Sequence, residues 1–409
     1  MTSPRWHLNG INAFSANLAR ELLKRGIEAK ILLTQTDRRK YYPGIEVPLT
    51  PGIPFEILPV RVKRNTYWKS HWKALKNYLE QESPCIYLPN YDFGHSSICP
   101  RLSNRIQIVG VVHSDARAHY DAVIRLGRYW DAIVAVSRAI GDKVAGFDET
   151  FRKRLFTIPY GVHITEKFPE RAPDDNRPIK LVYAGRLIQY QKRILDIPKI
   201  LALLQKRGVP FKLTIMGNGP HEKKLLDECK KLDKQNAVNF LGALPNDRIS
   251  EILSQNDVFI LTSKFEGTPV SLLEAMAHGC VPVVTDIHSG IPDLIEDGIN
   301  GYKVPVGDIN MFAERIATLK EDLNLRRQMS FQAYSKIKNS GYNIEDVAQK
   351  YIDLFKHVTE EAKSGNYKRP KGVIVPPRFL RVSPDILDSW SWRITAPIRW
   401  LGRLLRPLN

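Results

Sequence analysis

Two rhythms alternate through most of the chain: short, wholly apolar runs, and longer stretches with apolar residues at helical spacing. That alternation predicts parallel sheets whose strands are joined by crossover helices. Near the start, Phe14 to Arg25 carries a helical pattern, and Gly26 stands where a glycine ends a helix. Ala29–Thr34 then reads as a short buried strand, with further strands at Ile106–Val112, Ala132–Val136 and Leu155–Ile158. A polar, proline-punctuated stretch from Glu166 to Pro178 reads as an interdomain linker. The alternation then restarts, with strands at Ile179–Ala184, Phe211–Met216, Val238–Leu241, Val258–Leu261 and Val281–Thr285. Ile344–Ala362 reads as a closing helix, and no short-period repeat is present. The expected fold is α/β: two doubly wound, Rossmann-like domains facing across a cleft. Their bounds are expected at 1–165, closed by the helix at 344–362, and at 166–343, followed by a tail over 366–409.

The front of the chain departs from this scheme. The loop Asn9-Gly10-Ile11-Asn12 enters a helix directly, whereas a doubly wound domain places a strand just before such a glycine loop. Met1–Leu8, with Pro4 and a single Trp6, is a poor strand. The first strand of the amino-terminal domain is therefore expected to be missing, with a misplaced start or a truncated chain as the favoured explanation and a sheet that lacks the strand, at a cost in pairing and burial, as the alternative.

Composition narrows the class. The 409 residues are 43% hydrophobic and 25% charged, a globular balance of a length that suits two domains. The four cysteines, Cys85, Cys99, Cys229 and Cys280, lie far apart without metal or disulfide spacing, which fits a reducing, cytoplasmic setting. There is no signal peptide pattern and no apolar run of roughly 18 residues. The formal charge of +18 leaves nucleic acid, an anionic membrane surface or an acidic substrate as partners. From Asn366 onward nine Lys or Arg stand against Asp385 and Asp388 alone, and the remaining surplus is scattered. No arginine-rich block or aromatic nucleic-acid pattern accompanies it, so nucleic acid is disfavoured.

The chemistry concentrates in Lys264-Phe-Glu-Gly-Thr-Pro-Val-Ser-Leu-Leu-Glu-Ala-Met-Ala-His-Gly279 and the apolar run after it. A strand at Val258–Leu261 leads into a turn at Glu266 and Gly267. Thr268 then reads as an N-cap and Pro269 as the first helical residue. The free amides of Gly267, Thr268 and Val270 at this helix start make a phosphate site. Glu274, further along the helix, is placed to accept hydrogen bonds from a ribose diol, and Glu266 faces the next sugar. Taken singly, each glutamate also suits an ordinary surface position. A second cluster, Gly185-Arg186 with Lys192 and Arg193, leaves the end of a strand, where such sheets bind ligands. Arg186 and Lys192 are suited to neutralising a departing diphosphate, though a plain basic loop has the same look. His113, directly after a strand, is either structural or a site residue facing the second domain. Gly10, Gly217-Asn-Gly219 and Pro159-Tyr-Gly161 are glycine turns at element ends, which turn chemistry alone also explains.

These segments, in this order, resemble the retaining GT-B glycosyltransferases of family 4, over roughly residues 9 to 360. The hallmark is the pair Glu266 and Glu274 in a Gly-Thr-Pro helix start, with Gly10, His113, Tyr160-Gly161, Arg186, Lys192 and Gly217 in matching places. The resemblance implies that Arg186 and Lys192 hold the donor diphosphate and Glu274 the ribose. It also implies that Glu266 and His113 contact the transferred sugar. Members of the family usually need no metal at the diphosphate, which suits two basic residues and the lack of an Asp-x-Asp motif. A nucleotide sugar is then the donor substrate, no cofactor is expected, and the acceptor is a glycan or a lipid-linked sugar in cell-surface polysaccharide assembly. The rival readings are a catalytically silent scaffold of the same fold, or a phosphorylase or epimerase.

Residues 390–406 carry Ile394, Ile398, Leu401 and Leu405 at helical spacing, with Trp390, Trp392 and Trp400 and flanking Arg399, Arg403 and Arg406. This amphipathic pattern predicts a segment lying on the inner, anionic face of a membrane. A helix docked on the body, or a contact for another subunit, is the alternative.

Overall fold

The computed structural model describes residues 1–3, 6, 10–34, 49–58, 67–90, 93–169, 176–232, 237–244, 246–365, 369–370 and 372. Thirteen strands are formed by those residues. They are β1 (Thr2–Ser3), β2 (Ile31–Leu33), β3 (Phe55–Ile57), β4 (Cys85–Tyr87), β5 (Ile106–Val112), β6 (Ala132–Ala135) and β7 (Leu155–Thr157) in the first half. The second half holds β8 (Ile179–Ala184), β9 (Phe211–Met216), β10 (Val238–Gly242), β11 (Val258–Leu261), β12 (Val281–Thr285) and β13 (Tyr302–Val304). Each strand pairing is parallel, and β5, β6, β11 and β12 are buried throughout, as strands covered by helices on both faces must be.

The second half forms one six-stranded sheet in the order β10-β9-β8-β11-β12-β13. The order reverses between β8 and β11, which opens a crevice at their carboxyl ends. Pairing shows the opening directly: β8 and β9 are in register at six positions, from Ile179 to Ala184, but β8 and β11 only at Leu181 and Val182.

In the first half, β1-β2-β3 and β4-β5-β6-β7 are joined by a backbone hydrogen bond from Thr2 N–H to Leu88 O (3.1 Å). The strands therefore follow a second reversed order, with its reversal between β1 and β4. The sequence pattern offers no strand ahead of Gly10, yet Thr2–Ser3 pair with Leu32 and Leu33 there. Two residues cannot display an alternating pattern, so this pairing rests on its neighbours and not on local propensity. Residues 7–9, which contain Asn9 of the predicted glycine loop, lie outside the described residues.

Several expected elements are shifted by a residue or two, and the helix predicted from Phe14 begins at Gly10 and runs to Lys24. The helix Ile344–Ser364 crosses back to the first half, where Tyr351 packs on Phe14 with ring centroids 5.6 Å apart. The crossing is pinned by Val162 N–H to Tyr342 O (2.9 Å) and Ile344 N–H to Val162 O (3.0 Å). Gly161 belongs to this junction: a Cβ there would lie 2.6 Å from Ile344 Cα. Beyond that helix, Arg369 is buried against the amino-terminal ends of β5 and β6. It donates to the Leu102, Ser103 and Ile106 carbonyls and to the Asp131 carboxylate (2.5 Å). No helix among the described residues is long and apolar enough to cross a membrane. The amphipathic segment at 390–406 lies outside the described residues.

Candidate active site

The loop after β11 runs through Glu266 and Gly267 into the helix Val270–Ala277. The helix start differs from the sequence reading by one position. Pro269 is the N-cap, at φ −70° and ψ 109°, and no side chain caps the helix. Thr268, expected to cap it, instead donates its hydroxyl across the cleft to the carbonyl of Val136. The helix end stays uncapped by side chains, so its first amides and the positive end of its dipole remain available to an anion.

Gly10 begins a helix on the opposite wall. A Cβ at Gly10 would lie 3.8 Å from Val270 Cγ2, so two helix starts from the two domains meet at one place. Gly267 closes against the first domain even more tightly: a Cβ there would sit 2.2 Å from the carbonyl oxygen of His113. Asp115 N–H donates to Glu266 O at 3.0 Å, and Gly290 N–H to Gly267 O at 2.8 Å. The His113 segment and the Glu266 segment, read as separate motifs in the sequence, are thus one contact.

The basic loop after β8 lies beside them. Lys192 ends a single helical turn, Gln189–Lys192, and Arg193 then takes a left-handed conformation with φ +48°. Lys192 Nζ is 2.7 Å from Glu266 Oε1, and both side chains are largely buried. Further bonds stitch this loop to the one after β11. Thr262 Oγ1 donates to Lys192 O (2.8 Å), and Lys264 N–H to Gln191 O (2.7 Å). Gln191 Nε2 donates to Phe265 O (3.2 Å) while its Oε1 accepts from the exposed Arg186 Nη2 at 2.5 Å. Gln191, absent from the sequence reading, is therefore the bridge that ties Arg186 to the helix mouth. Gly185 and Gly217 stack backbone on backbone at the ends of β8 and β9. A Cβ at Gly217, whose φ is +136°, would fall 1.9 Å from Gly185 O. These glycines let two loops share the floor of the crevice, and no side chain fits between them.

Glu274 sits about one turn into the Val270 helix, its rim partly open to solvent. Burial pushes its carboxyl up to about 7, and no cation pairs with it among the described residues. Glu266 and Glu274 hence differ in kind: one is paired with a lysine, and the other has no cation partner among the described residues. His113 is buried between Asn90 and Tyr160, and burial, helped by nearby His119, holds its ring well below the usual imidazole range. Asn90, which the sequence reading missed, is held at φ +52° just past β4.

The site thus gathers Gly10, His113, Lys192, Glu266, Gly267, Thr268 and Val270 around one opening. Arg186 joins through Gln191, with Gly185 and Gly217 beneath. An anion-binding helix start, a buried lysine and an exposed arginine at the reversal point of a doubly wound sheet suit a diphosphate.

Comparison with known proteins agrees with that setting. Residues 8–166 match the family model described as Glycosyltransferase Family 4, and residues 164–336 match that of Glycosyl transferases group 1. A putative colanic acid biosynthesis glycosyltransferase, WcaL, from Escherichia coli K12 is 31% identical over 42% of this chain and 43% of its own. The chain thus spans less than half the length of the first curated relatives it matches. The solved structure of a sucrose-phosphate synthase from Thermosynechococcus elongatus superposes with a TM-score of 0.70 at 17% identity, covering 88% of this chain and 96% of that one. Anabaena HepE in complex with UDP superposes at 0.64 with 15% identity, over 86% and 98%. With two consecutive family models running from residue 8 to residue 336, on two doubly wound domains that close around this site, the chain belongs to the family-4 glycosyltransferases of GT-B fold.

Proposed function

We propose that the protein is a retaining hexosyltransferase that moves a sugar from a nucleotide diphosphate donor to a glycan or lipid-linked acceptor in surface polysaccharide assembly. The observation that carries this reading is the buried pair Lys192–Glu266, set beside the uncapped start of the Val270 helix and facing the Gly10 helix. The helix amides, Lys192 and Arg186 stabilise the charge that develops on the diphosphate as the glycosidic bond breaks, in place of a divalent ion. Glu274 accepts from the ribose hydroxyls. Glu266 is neutralised by its lysine and so is a poor nucleophile, which favours direct transfer over a glycosyl-enzyme intermediate. The acceptor oxygen attacks C1 from the face the diphosphate leaves, and its proton passes to the departing phosphate oxygen. The resemblance to WcaL and the UDP held by HepE support the substrate classes.

A thermal-shift screen of UDP, GDP, ADP and their hexose conjugates identifies the donor, because binding raises the melting temperature. With that donor, Arg186→Ala is expected to lower turnover by about 10²-fold with an unchanged unliganded melting temperature. Near-normal transfer by this variant would remove Arg186 from the diphosphate site.

The amphipathic tail extends the proposal to the anionic inner surface of a membrane. Because Arg369 is locked into the first domain, the informative truncation removes 373–409 and keeps residues 1–372. The shortened protein is expected to stay folded but no longer sediment with phosphatidylglycerol vesicles, and undiminished sedimentation would refute the tail's role.

A further inference from the structure

The orientation of the Asn90 amide follows from its partners. Its Nδ2 donates to Thr2 O (3.0 Å) and to Ser15 Oγ (3.3 Å), which turns Oδ1 toward His113 Nε2 at 3.1 Å. A carbonyl oxygen only accepts, so Nε2 of His113 carries a hydrogen. A neutral imidazole has one N–H, so Nδ1 is bare, and the hydroxyl of Tyr160, 2.6 Å away, donates to it. The Tyr160 ring also lies against the imidazole, with centroids 5.8 Å apart and planes 15° from parallel, while Phe14 packs edge-on at 5.5 Å. The arrangement is held from several elements at once: β1 supplies Thr2, the Gly10 helix supplies Ser15 and Phe14, and the interdomain junction supplies Tyr160. Asn90 meanwhile occupies the left-handed region, which asparagine tolerates better than other side-chain-bearing residues.

We propose that Tyr160 and Asn90 are positioning residues that hold His113 in its Nε2–H tautomer, so that the ring meets the donor's sugar as a hydrogen-bond donor and takes no proton in the reaction. The proposal rests on the transferase reading above and on the contact with the transferred sugar that the family resemblance implies for His113. It assigns a task to three features that the transfer mechanism leaves unused: the two-residue β1, the backbone conformation of Asn90 and the Tyr160 hydroxyl. The bond to Asn90, at 3.1 Å toward the outer end of the ordinary range, is one that a sugar hydroxyl can share. Tyr160 acts from the far side of the ring, where it can fix the tautomer without touching substrate.

The experiment labels the full chain with ¹⁵N-histidine and reads the two His113 ring nitrogens by long-range proton–nitrogen correlation at neutral pH, with His113→Gln for assignment. Wild type is expected to show a pyridine-type Nδ1 and a pyrrole-type Nε2, and Tyr160→Phe a mixture of tautomers. A wild-type Nδ1–H tautomer overturns the proposal, as does a Tyr160→Phe spectrum unchanged from wild type. A second arm follows UDP-glucose, UDP-N-acetylglucosamine and GDP-mannose turnover. For a donor that wild type uses, Tyr160→Phe is expected to lower kcat at least about tenfold with KM within about twofold. A change in KM alone would make Tyr160 a packing residue and overturn its positioning role. If wild type turns over none of these donors and binds none, these three donors are excluded independently of the proposal, and the tautomer spectra still decide the state of His113.

Discussion

Replacing Lys192 by methionine is expected to lower turnover about 10³-fold and to destabilise the protein at the same time. Methionine keeps the length of the stem and its packing but removes the ammonium that sits 2.7 Å from Glu266. The Glu266 side chain, only 7% exposed, is then left buried without its cation, a change that costs about 3 kcal/mol in comparable settings. Loss of turnover by that route alone would be trivial, so the second variant matters. Lys192→Met with Glu266→Gln removes both charges and leaves a neutral pair of nearly the same shape. Its melting temperature is expected to recover most of what the single variant lost. Its turnover is not, since the positive charge facing the diphosphate is still gone. Calorimetry on both variants, with donor hydrolysis measured on the same samples, separates the two effects. Near-normal hydrolysis by the Lys192→Met protein would end the assignment of this lysine to the leaving group.

The contrast between legible and hidden features in this chain has a physical basis. Strands such as Val258–Leu261 and Val281–Thr285 are buried on both faces, so every position is apolar and the run announces itself. Cys85–Tyr87 and Tyr302–Val304 are three residues long, too short for any periodicity to mark them as strands. The Gly-Thr-Pro helix start was legible because its chemistry is local. Its cap was misassigned because the Thr268 hydroxyl is taken by Val136, 132 residues away, and a distant partner leaves no trace in local spacing. Asn90 and Gln191 were missed for the same reason. Tyr160 stood in the sequence as a turn residue, since its hydroxyl's partner His113 lies 47 residues earlier. What sequence could find were positions defined by their own neighbours; what it could not were positions defined by the closing of two domains.

Glu274→Gln is expected to stabilise the unliganded protein while crippling its hold on the donor. Burial raises this carboxyl from an ordinary 4.5 to about 7 in the folded chain. A folded-state pKa above the unfolded one means that the folded protein holds the proton more tightly. Its contribution is therefore fully present below about pH 4.5 and is lost as pH rises through about 7. At pH 8 wild type carries that penalty, reduced by the water that reaches the rim of the side chain, and glutamine escapes it. The gain is up to about 2 kcal/mol at pH 8 and smaller at pH 5. Donor affinity moves the other way. A carboxylate accepts two charge-assisted bonds from a diol, and an amide offers one neutral acceptor, so affinity should drop about 10- to 100-fold. Wild-type binding should also tighten between pH 6 and pH 8, as the carboxylate forms, while the glutamine variant stays flat. Melting curves at pH 5 and pH 8, with and without the nucleotide that binds, test every part of this. An equal stability gain at both pH values would show that this carboxyl does not titrate between them, and an undiminished nucleotide shift in Glu274→Gln would remove Glu274 from the ribose. Among the described residues no cation pairs with Glu274, in contrast to the lysine held against Glu266, so the fold tolerates an unpaired acid at the position where, on the proposed mechanism, the ribose hydroxyls would complete the pairing.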